Sequence, residues 1–251
     1  DEIEHPAVRA ILKYLEIDRG IEIHHDGDLP ARSGMGSSSS FTVGLLNALY
    51  ALKGYMPSKI QLAREGILIE QQHLQETVGS QDQMLAAYGG FNHITFSSDD
   101  DISVRPITLA PERVNELNDH LMLFYTGLMR TASDIAGSYV PDIALREREL
   151  HTIMEMVDEG ISILNSDQPI SRFGDLLHEA WIAKSNLGAK VSNPQVDEIY
   201  DCARSAGAVG GKLLGAGGGG FMLLFVQPSK QPKIKEELGK LIHVPFKFES
   251  S

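Results

Sequence analysis

The fold is predicted most directly by one segment rich in glycine and serine, Pro30-Ala31-Arg32-Ser33-Gly34-Met35-Gly36-Ser37-Ser38-Ser39-Ser40. It runs directly into Phe41, Leu45 and Leu49, whose helical spacing predicts a helix that begins where the loop ends. Glycines let backbone amides turn toward a ligand, and the N-terminal end of a helix attracts anions. The pattern therefore predicts a phosphate-binding loop. A serine-rich linker that only caps the helix is the alternative.

Helices and strands are predicted along the whole chain. Apolar residues at helical spacing up to Leu15 predict a first helix, and the alternation over 21–25 predicts a strand after it. A helix that starts after Ser58, a capping residue, carries Glu70 on its apolar stripe. Further helices are predicted at 80–88, 143–165, 171–186, 195–206 and 231–240, and strands at 91–96, 102–109, 121–126, 221–226 and 244–248.

Pro111 and the polar residues after it predict a junction between two domains, at residues 1–115 and 116–251. Helices and strands that can pair antiparallel occur in both halves. The sequence therefore indicates an α+β fold.

A second glycine-rich run covers residues 210–220 and is followed by an apolar, strand-like run at 221–226. It contains a literal G-x-G-x-x-G that begins at Gly215, but a dinucleotide-binding fingerprint must follow a strand and open a helix. Lys212 is followed by Leu213 rather than by Ser or Thr, so a Walker A loop is excluded as well. We predict a glycine turn at the active site, with close packing of another backbone as the alternative.

Two carboxylates complete the candidate site. Ser80 and Gln83 fit a capping box, which predicts a helix start with Asp82 in its first turn, where the helix dipole stabilises an ionised carboxylate. Such a group can accept the proton of an attacking hydroxyl in phosphoryl transfer; simple complementarity to the dipole is the alternative. Glu70 lies on an apolar stripe, where a carboxylate needs a partner, and it could hold a metal that bridges phosphates.

Taken together, these motifs resemble those of the galactokinase, homoserine kinase, mevalonate kinase and phosphomevalonate kinase (GHMP) superfamily. Residues 30–40 are similar to its second motif, with Met35 in place of the usual Leu, and residues 212–220 are similar to its third. The stretch 79–83 resembles the segment that carries the catalytic aspartate. Within the superfamily, the heptose 7-phosphate kinases are the most similar at 37–49, 89–92 and 125–127 with Arg130.

The resemblance implies a role for most of the candidate residues. Asp82 would be the catalytic base, and Ser38 with Glu70 would bind Mg²⁺. The resemblance does not identify which Arg or Lys holds a substrate phosphate. Arg130 is a candidate from its place after residues 125–127 at the head of a predicted helix, with an ordinary surface arginine as the alternative. The phosphates of ATP would be wrapped by Gly34, Met35, Gly36, Ser37, Ser38 and Ser39. The active-site turn would be formed by Gly215, Gly217 and Gly218.

The resemblance also implies the two-domain GHMP kinase fold, with a first domain like ribosomal protein S5 domain 2 and a ferredoxin-like second domain. The family's first motif, an N-terminal strand and glycine-rich turn that helps bind the sugar, does not occur in the sequence. The first domain is therefore expected to lack its first strands, and the chain by itself is expected to bind ATP weakly without phosphorylating a sugar.

Composition limits the possible partners. The formal net charge of -12 offers little attraction for nucleic acid or an anionic membrane, although backbone amides and a metal can still hold a nucleotide. A single cysteine, Cys202, fits a reducing compartment, and no apolar run is long enough for a membrane span. We expect a cytoplasmic protein that binds a small sugar phosphate and neither nucleic acid nor membrane. A homodimer is left open.

The resemblance implies transfer of the γ-phosphoryl group of ATP to the anomeric hydroxyl of a heptose 7-phosphate. A kinase for another sugar, of the fucose or galactose type, is one alternative. A non-catalytic regulator that binds sugar and nucleotide on the same fold is another, because fold does not fix function. The presence of both Asp82 and Glu70 favours an enzyme.

Overall fold

The structure, a computed structural model, describes residues 3–28, 33–97, 101–130 and 132–248. The helices are α1 Pro6–Tyr14, α2 Ser37–Leu52, α3 Lys59–Leu68, α4 Gln81–Tyr88, α5 Pro111–His120, α6 Ala132–Ala136, α7 Glu147–Leu164, α8 Ser171–Ser185, α9 Pro194–Ala206 and α10 Gln231–Glu237. The strands are β1 Asn92–Phe96, β2 Ile102–Pro106, β3 Leu121–Tyr125, β4 Ala208–Leu213, β5 Phe221–Val226 and β6 Ile242–Val244. A π-helical turn spans Ile69–His73, and 3-10 turns span Val140–Arg146 and Pro228–Lys230.

The described residues cluster into two compact units, residues 3–28 with 36–97 and 101–105, and residues 33–35 with 106–130 and 132–248. Both contain helices and strands, which makes the fold α+β. The predicted domain boundary at residues 115 and 116 stays a prediction. No helix in the described part of the chain is long and apolar enough to cross a membrane.

The first unit has an apolar core between α1, α2 and α3. Ile11, Leu46 and Ile69 are fully buried there, because each lies on the stripe of its helix that faces the others. Ser58 caps α3 as expected, since its hydroxyl accepts from Gln61 N at 3.2 Å. The strand predicted at 21–25 is wrong: no described residue pairs with this segment, and an alternating pattern without a partner strand does not make a sheet.

The second unit is built on a four-stranded antiparallel sheet in the order β4-β5-β3-β6. Strands β3 and β5, predicted from their apolar runs, occupy the centre and are almost completely buried. The chain order, with helices between β3 and β4 and α10 between β5 and β6, is the β-α-β-β-α-β arrangement of ferredoxin-like folds. Buried residues of α9 and α10 pack with Met122 and Leu224 of the sheet.

Sequence patterns missed or misplaced three elements of this unit. The residues from Pro111 on form the helix α5, because proline fits the first turn of a helix, and this helix was not predicted. The last strand lies at Ile242–Val244 rather than at 244–248. Strand β4 was not predicted, because its central residues Gly210 and Gly211 carry no side chains from which an alternation could be read.

Gly210 lets α8 lie directly against β4. A Cβ atom on Gly210 would overlap the carbonyl oxygen of Gly174 on α8 and would lie 2.9 Å from His178 N. Both neighbours are backbone atoms of a helix, which cannot rotate out of the way. A side chain at this position therefore separates the helix from the sheet.

Gly210→Ala should destabilise the protein by about 2 kcal/mol or more, because overpacking forces backbone shifts. Gly44→Ala is the matched control: Gly44 lies inside α2 with nothing within 4 Å of an added Cβ, so alanine should stabilise it by about 0.5–1 kcal/mol. Urea unfolding of both variants measures the difference. Equal stabilities would show that α8 and β4 are not packed this closely.

Candidate active site

The helix that follows the glycine and serine loop begins at Gly36. Gly36 is the N-cap residue of α2 and has a φ of 68°, a left-handed conformation that glycine adopts without strain. Its carbonyl oxygen accepts from Ser40 N at 2.8 Å, the first bond of the helix. The amides of the first turn keep no partner within the helix, and together with the dipole they favour an anion at this end.

Asp82 lies against this helix start. A Cβ atom on Gly36 would be 3.3 Å from Asp82 Cγ and 3.4 Å from its Oδ2, so the half-buried carboxyl group occupies the space that a side chain at Gly36 would need. Asp82 is in the first turn of α4, as predicted. The carboxyl group of Asp82 therefore lies beside the start of α2, because the N-terminal ends of α2 and α4 are next to each other.

The predicted capping box at the start of α4 is wrong. Ser80 is the N-cap residue, but its hydroxyl makes no capping hydrogen bond and instead accepts from Gln71 Nε2 at 3.2 Å. Gln83 does not reach back to the backbone of Ser80, because its amide donates to Glu70 Oε2 at 2.5 Å. Ser80 and Gln83, the two residues of the predicted capping box, therefore both form hydrogen bonds with side chains of the π-helical turn.

Glu70 is buried on the π-helical turn, with 1% of its surface exposed. Ser39 Oγ donates to Glu70 Oε2 at 2.9 Å, and Gln83 donates to the same oxygen. Burial raises the pKa of Glu70, and the neighbouring polar side chains of Ser39, Gln83 and Thr42 oppose that shift. Glu70 Oε1 and Gln83 Oε1 are buried without a hydrogen-bond partner among the described residues.

The structure brings some predicted residues together and leaves others apart. Ser39 contacts Glu70, whereas Ser38 is exposed and no described hydrogen bond joins it to Glu70. Ser37 is half-buried and Met35 is exposed. Pro30, Ala31 and Arg32 of the loop lie outside the described residues.

In the second unit, the glycine turn packs against the loop at Ser33 and Gly34. A Cβ atom on Gly215 would lie 2.8 Å from Gly34 Cα, and one on Gly220 would overlap Ser33 O. Gly220 O accepts from both the amide and the hydroxyl of Thr126, at 2.9 and 2.8 Å. The turn therefore shows the close backbone packing that the sequence offered as the alternative, and its role at an active site stays a prediction.

Gly217 and Gly218 have φ values of 117° and 74° and lie against the backbone of Val191 and Lys190. The exposed Arg130 lies beside them, with its Cγ 3.3 Å from the position of a Cβ on Gly218. The turn is also held by Lys184, whose ammonium group donates to Leu213 O at 3.2 Å and to Gly215 O. Lys184 and Gln71 lie outside the sequence motifs, and for Ser39 and Thr126, which lie inside them, the sequence did not predict these contacts.

The site offers one side chain that suits Mg²⁺ as a ligand. No cluster of three or more His, Cys, Asp or Glu side chains with metal-site geometry occurs among the described residues. Mg²⁺ usually takes one or two carboxylates and keeps several waters beside phosphate ligands, so such a cluster is not required. The buried oxygen Glu70 Oε1, which has no hydrogen-bond partner, is a suitable hard ligand.

Two family models match the chain. The model for the GHMP kinases N terminal domain matches residues 3–90, and that for GHMP kinases C terminal matches residues 164–243. A D-glycero-alpha-D-manno-heptose 7-phosphate kinase of Campylobacter jejuni is 28% identical over 234 residues, covering 92% of this chain and 69% of that protein. A bifunctional fucokinase/GDP-fucose pyrophosphorylase of Arabidopsis thaliana is 28% identical over 224 residues, 85% of this chain but 21% of that protein.

Solved structures share the fold. The crystal structure of a D-glycero-D-manno-heptose 1-phosphate kinase from Bacteroides thetaiotaomicron superposes with a TM-score of 0.76 at 24% identity, over 99% of this chain and 74% of that chain. The mevalonate kinase of Methanococcus jannaschii superposes with a TM-score of 0.71 at 21% identity, over 97% of this chain and 74% of that chain. At these identities the likeness concerns the fold.

Glu70→Gln should remove a pH-dependent loss of stability. Because burial raises the pKa of Glu70 above 4.5, the unfolded chain ionises first as the pH rises, and the free energy of unfolding falls between pH 4.5 and the folded-state pKa. The variant lacks this titration, so its stability relative to wild type should increase across that window. Urea unfolding in EDTA at several pH values tests this. A difference between variant and wild type that stays constant across these pH values would contradict it.

Proposed function

The chain belongs to the GHMP kinase family, phosphotransferases with an alcohol group as acceptor, and we therefore propose that the full-length protein phosphorylates the anomeric hydroxyl of D-glycero-D-manno-heptose 7-phosphate. The observation that carries the proposal is the position of Asp82, whose carboxyl group lies against the first residue of the phosphate-binding helix. A base at that place is close to a phosphoryl group held by the helix.

The N-terminus of α2 would bind the phosphates of ATP. Gly36 allows the loop to turn into the helix, and the amides of Ser37 and Ser38 point out of its first turn. The net charge of -12 does not oppose this, because the donors are backbone groups. Gly34 and Met35 would continue the loop, and Gly215, Gly217 and Gly218 would form the active-site turn of the second unit, with Gly215 packed against Gly34.

Asp82 would act as the general base. Its carboxylate would accept the proton of the sugar hydroxyl as the oxygen of that hydroxyl attacks the γ-phosphorus and the bond to ADP breaks. Glu70 and the hydroxyl of Ser38 would hold Mg²⁺, which neutralises charge on the phosphate oxygens. The partnerless Glu70 Oε1 supports a ligand role for Glu70, whereas no described contact tests Ser38.

The substrate is proposed from the relatives. The Campylobacter jejuni protein supports a heptose 7-phosphate, and Arg130, exposed beside the glycine turn, is the proposed ligand of a substrate phosphate. A fucose-type sugar is the second candidate, because the Arabidopsis thaliana fucokinase is equally similar over most of this chain. A cytoplasmic location and a homodimer remain predictions.

A panel of sugars separates these functions. The full-length protein is incubated with ATP and heptose 7-phosphate, heptose 1-phosphate, fucose or galactose, and ADP release is measured. Turnover confined to the heptose 7-phosphate is expected. Preference for fucose or galactose would establish the second candidate, and nucleotide binding without turnover of any sugar would indicate a regulator.

Asp82→Asn should lower kcat by about 10²-fold or more and leave ATP affinity nearly unchanged, because the amide keeps the shape but cannot accept the proton. Steady-state kinetics and nucleotide titration test this. Asp158→Asn, at an exposed carboxylate on α7, is the control. A kcat near that of wild type would leave Asp82 with only a helix-stabilising role.

Ser38→Ala and Ser39→Ala distinguish two serines that are neighbours in sequence. Ser38 is exposed at the helix start, so its loss should raise the Mg²⁺ concentration for half-maximal rate without lowering the melting temperature. Ser39 donates to buried Glu70, so its loss should destabilise the protein by about 1–3 kcal/mol. If Ser38→Ala titrates with magnesium as wild type does, Ser38 is not a metal ligand.

A further inference from the structure

Two glutamine side chains join the segments that carry the proposed base and the proposed metal ligand. Gln83 follows Asp82 on α4, and its amide donates to Glu70 Oε2 at 2.5 Å. Gln71 follows Glu70 on the π-helical turn, and its amide donates in the other direction, to a backbone carbonyl before α4 at 3.0 Å and to Ser80 Oγ at 3.2 Å. The two amides therefore cross between the same two segments in opposite directions.

We propose that Gln71 and Gln83 form a brace that fixes the position of Asp82 relative to Glu70, each acting as a positioning residue. The inference rests on the proposed function, because it takes Asp82 as the base and Glu70 as a metal ligand. Neither glutamine needs to touch a substrate in this role.

Gln83 determines which oxygen of Glu70 is available. Its amide and the Ser39 hydroxyl both donate to Oε2, while Oε1 has no hydrogen-bond partner in the described part of the chain. Two donors on one oxygen hold the carboxylate plane and leave the other oxygen for a cation. Supporting groups of this kind around metal ligands commonly affect metal affinity by about 10–100-fold.

Gln83 is itself 1% exposed, and its own Oε1 has no partner in the described structure. Leaving a buried acceptor unpaired costs about 1–3 kcal/mol. In a capping box, the side chain of Gln83 would bond the backbone amide of Ser80 and would stay near the start of α4. The fold instead places the amide on Glu70.

Gln71 acts on the base side. The connection at 74–80 between the π-helical turn and α4 has no regular structure, and its backbone is tied to the turn by Glu76 N, which donates to Glu70 O at 3.0 Å. Gln71 adds a tie at Ser80, the residue from which α4 begins. Without Gln71, the start of α4 and Asp82 with it would be less firmly fixed.

Methionine substitutions test the brace, because methionine keeps the length of glutamine and removes its donors. Gln61→Met is the matched control: Gln61 donates to Glu65 Oε1 at 2.9 Å, a glutamine-to-glutamate bond on α3 that lies outside the brace. Each full-length variant is measured for melting temperature, for Mn²⁺ affinity in the presence of ADP, and for kcat and KM.

We expect Gln83→Met to weaken Mn²⁺ binding about 10–100-fold. Gln71→Met should lower kcat about 10-fold or more, since small displacements of a reacting group are costly, while its Mn²⁺ affinity stays within about twofold of wild type. Gln61→Met should lower the melting temperature as much as the other two variants and change neither functional quantity.

Equal Mn²⁺ affinity in Gln83→Met and wild type would overturn the proposal, as would an equal loss in Gln61→Met or a wild type that binds no Mn²⁺. If Gln83→Met does not fold, the variant at the half-exposed Gln71 provides the test. A Gln71→Met variant with wild-type kcat then overturns the proposal of a brace. A wild type that binds Mn²⁺ but phosphorylates no sugar would end the proposed function, while the Mn²⁺ comparison would still decide the role of Gln83.

Discussion

Burial of the Glu70 carboxylate is the interaction on which the arrangement of the first unit depends. Removing such a group from water is unfavourable by several kcal/mol unless donors replace the water. The donors come from Ser39 on α2 and Gln83 on α4, so both helices must meet the π-helical turn in one geometry. That geometry also brings the start of α2 against Asp82. One desolvated charge therefore orients the whole candidate site of this unit.

The second unit is constrained by backbone packing instead. Gly215 and Gly220 of the turn pack against Ser33 and Gly34, where a Cβ atom on either glycine of the turn would overlap backbone atoms of this segment. Thr126 closes the turn through two hydrogen bonds to Gly220 O. The glycines of the third motif are thus required by the shape of the turn, whichever ligand lies beside it.

Sequence patterns correctly predicted the features that depend on residues close to one another in sequence. Strand β5 followed from its apolar run, and Asp82 was placed correctly in the first turn of α4. The patterns failed where a distant partner decides. Gln83 bonds Glu70, thirteen residues away, instead of its own helix cap, and the glycine-rich strand β4 forms by pairing with β5. Ser39 could not be distinguished from its three serine neighbours, because only the folded chain shows which hydroxyl is buried.

The π-helical turn at Ile69–His73 bears on how much the length of the segment between Glu70 and Asp82 can vary. Such a turn holds one residue more than an α-helical turn, and one residue corresponds to about 100° of rotation about an α-helix. Ile69 and Glu70 are consecutive yet both buried, one in the apolar core and one among polar partners. Because the irregular connection before Ser80 follows directly, a residue gained or lost there can be absorbed without rotating Glu70. Relatives can therefore differ in the spacing between the two carboxylates while keeping both in place.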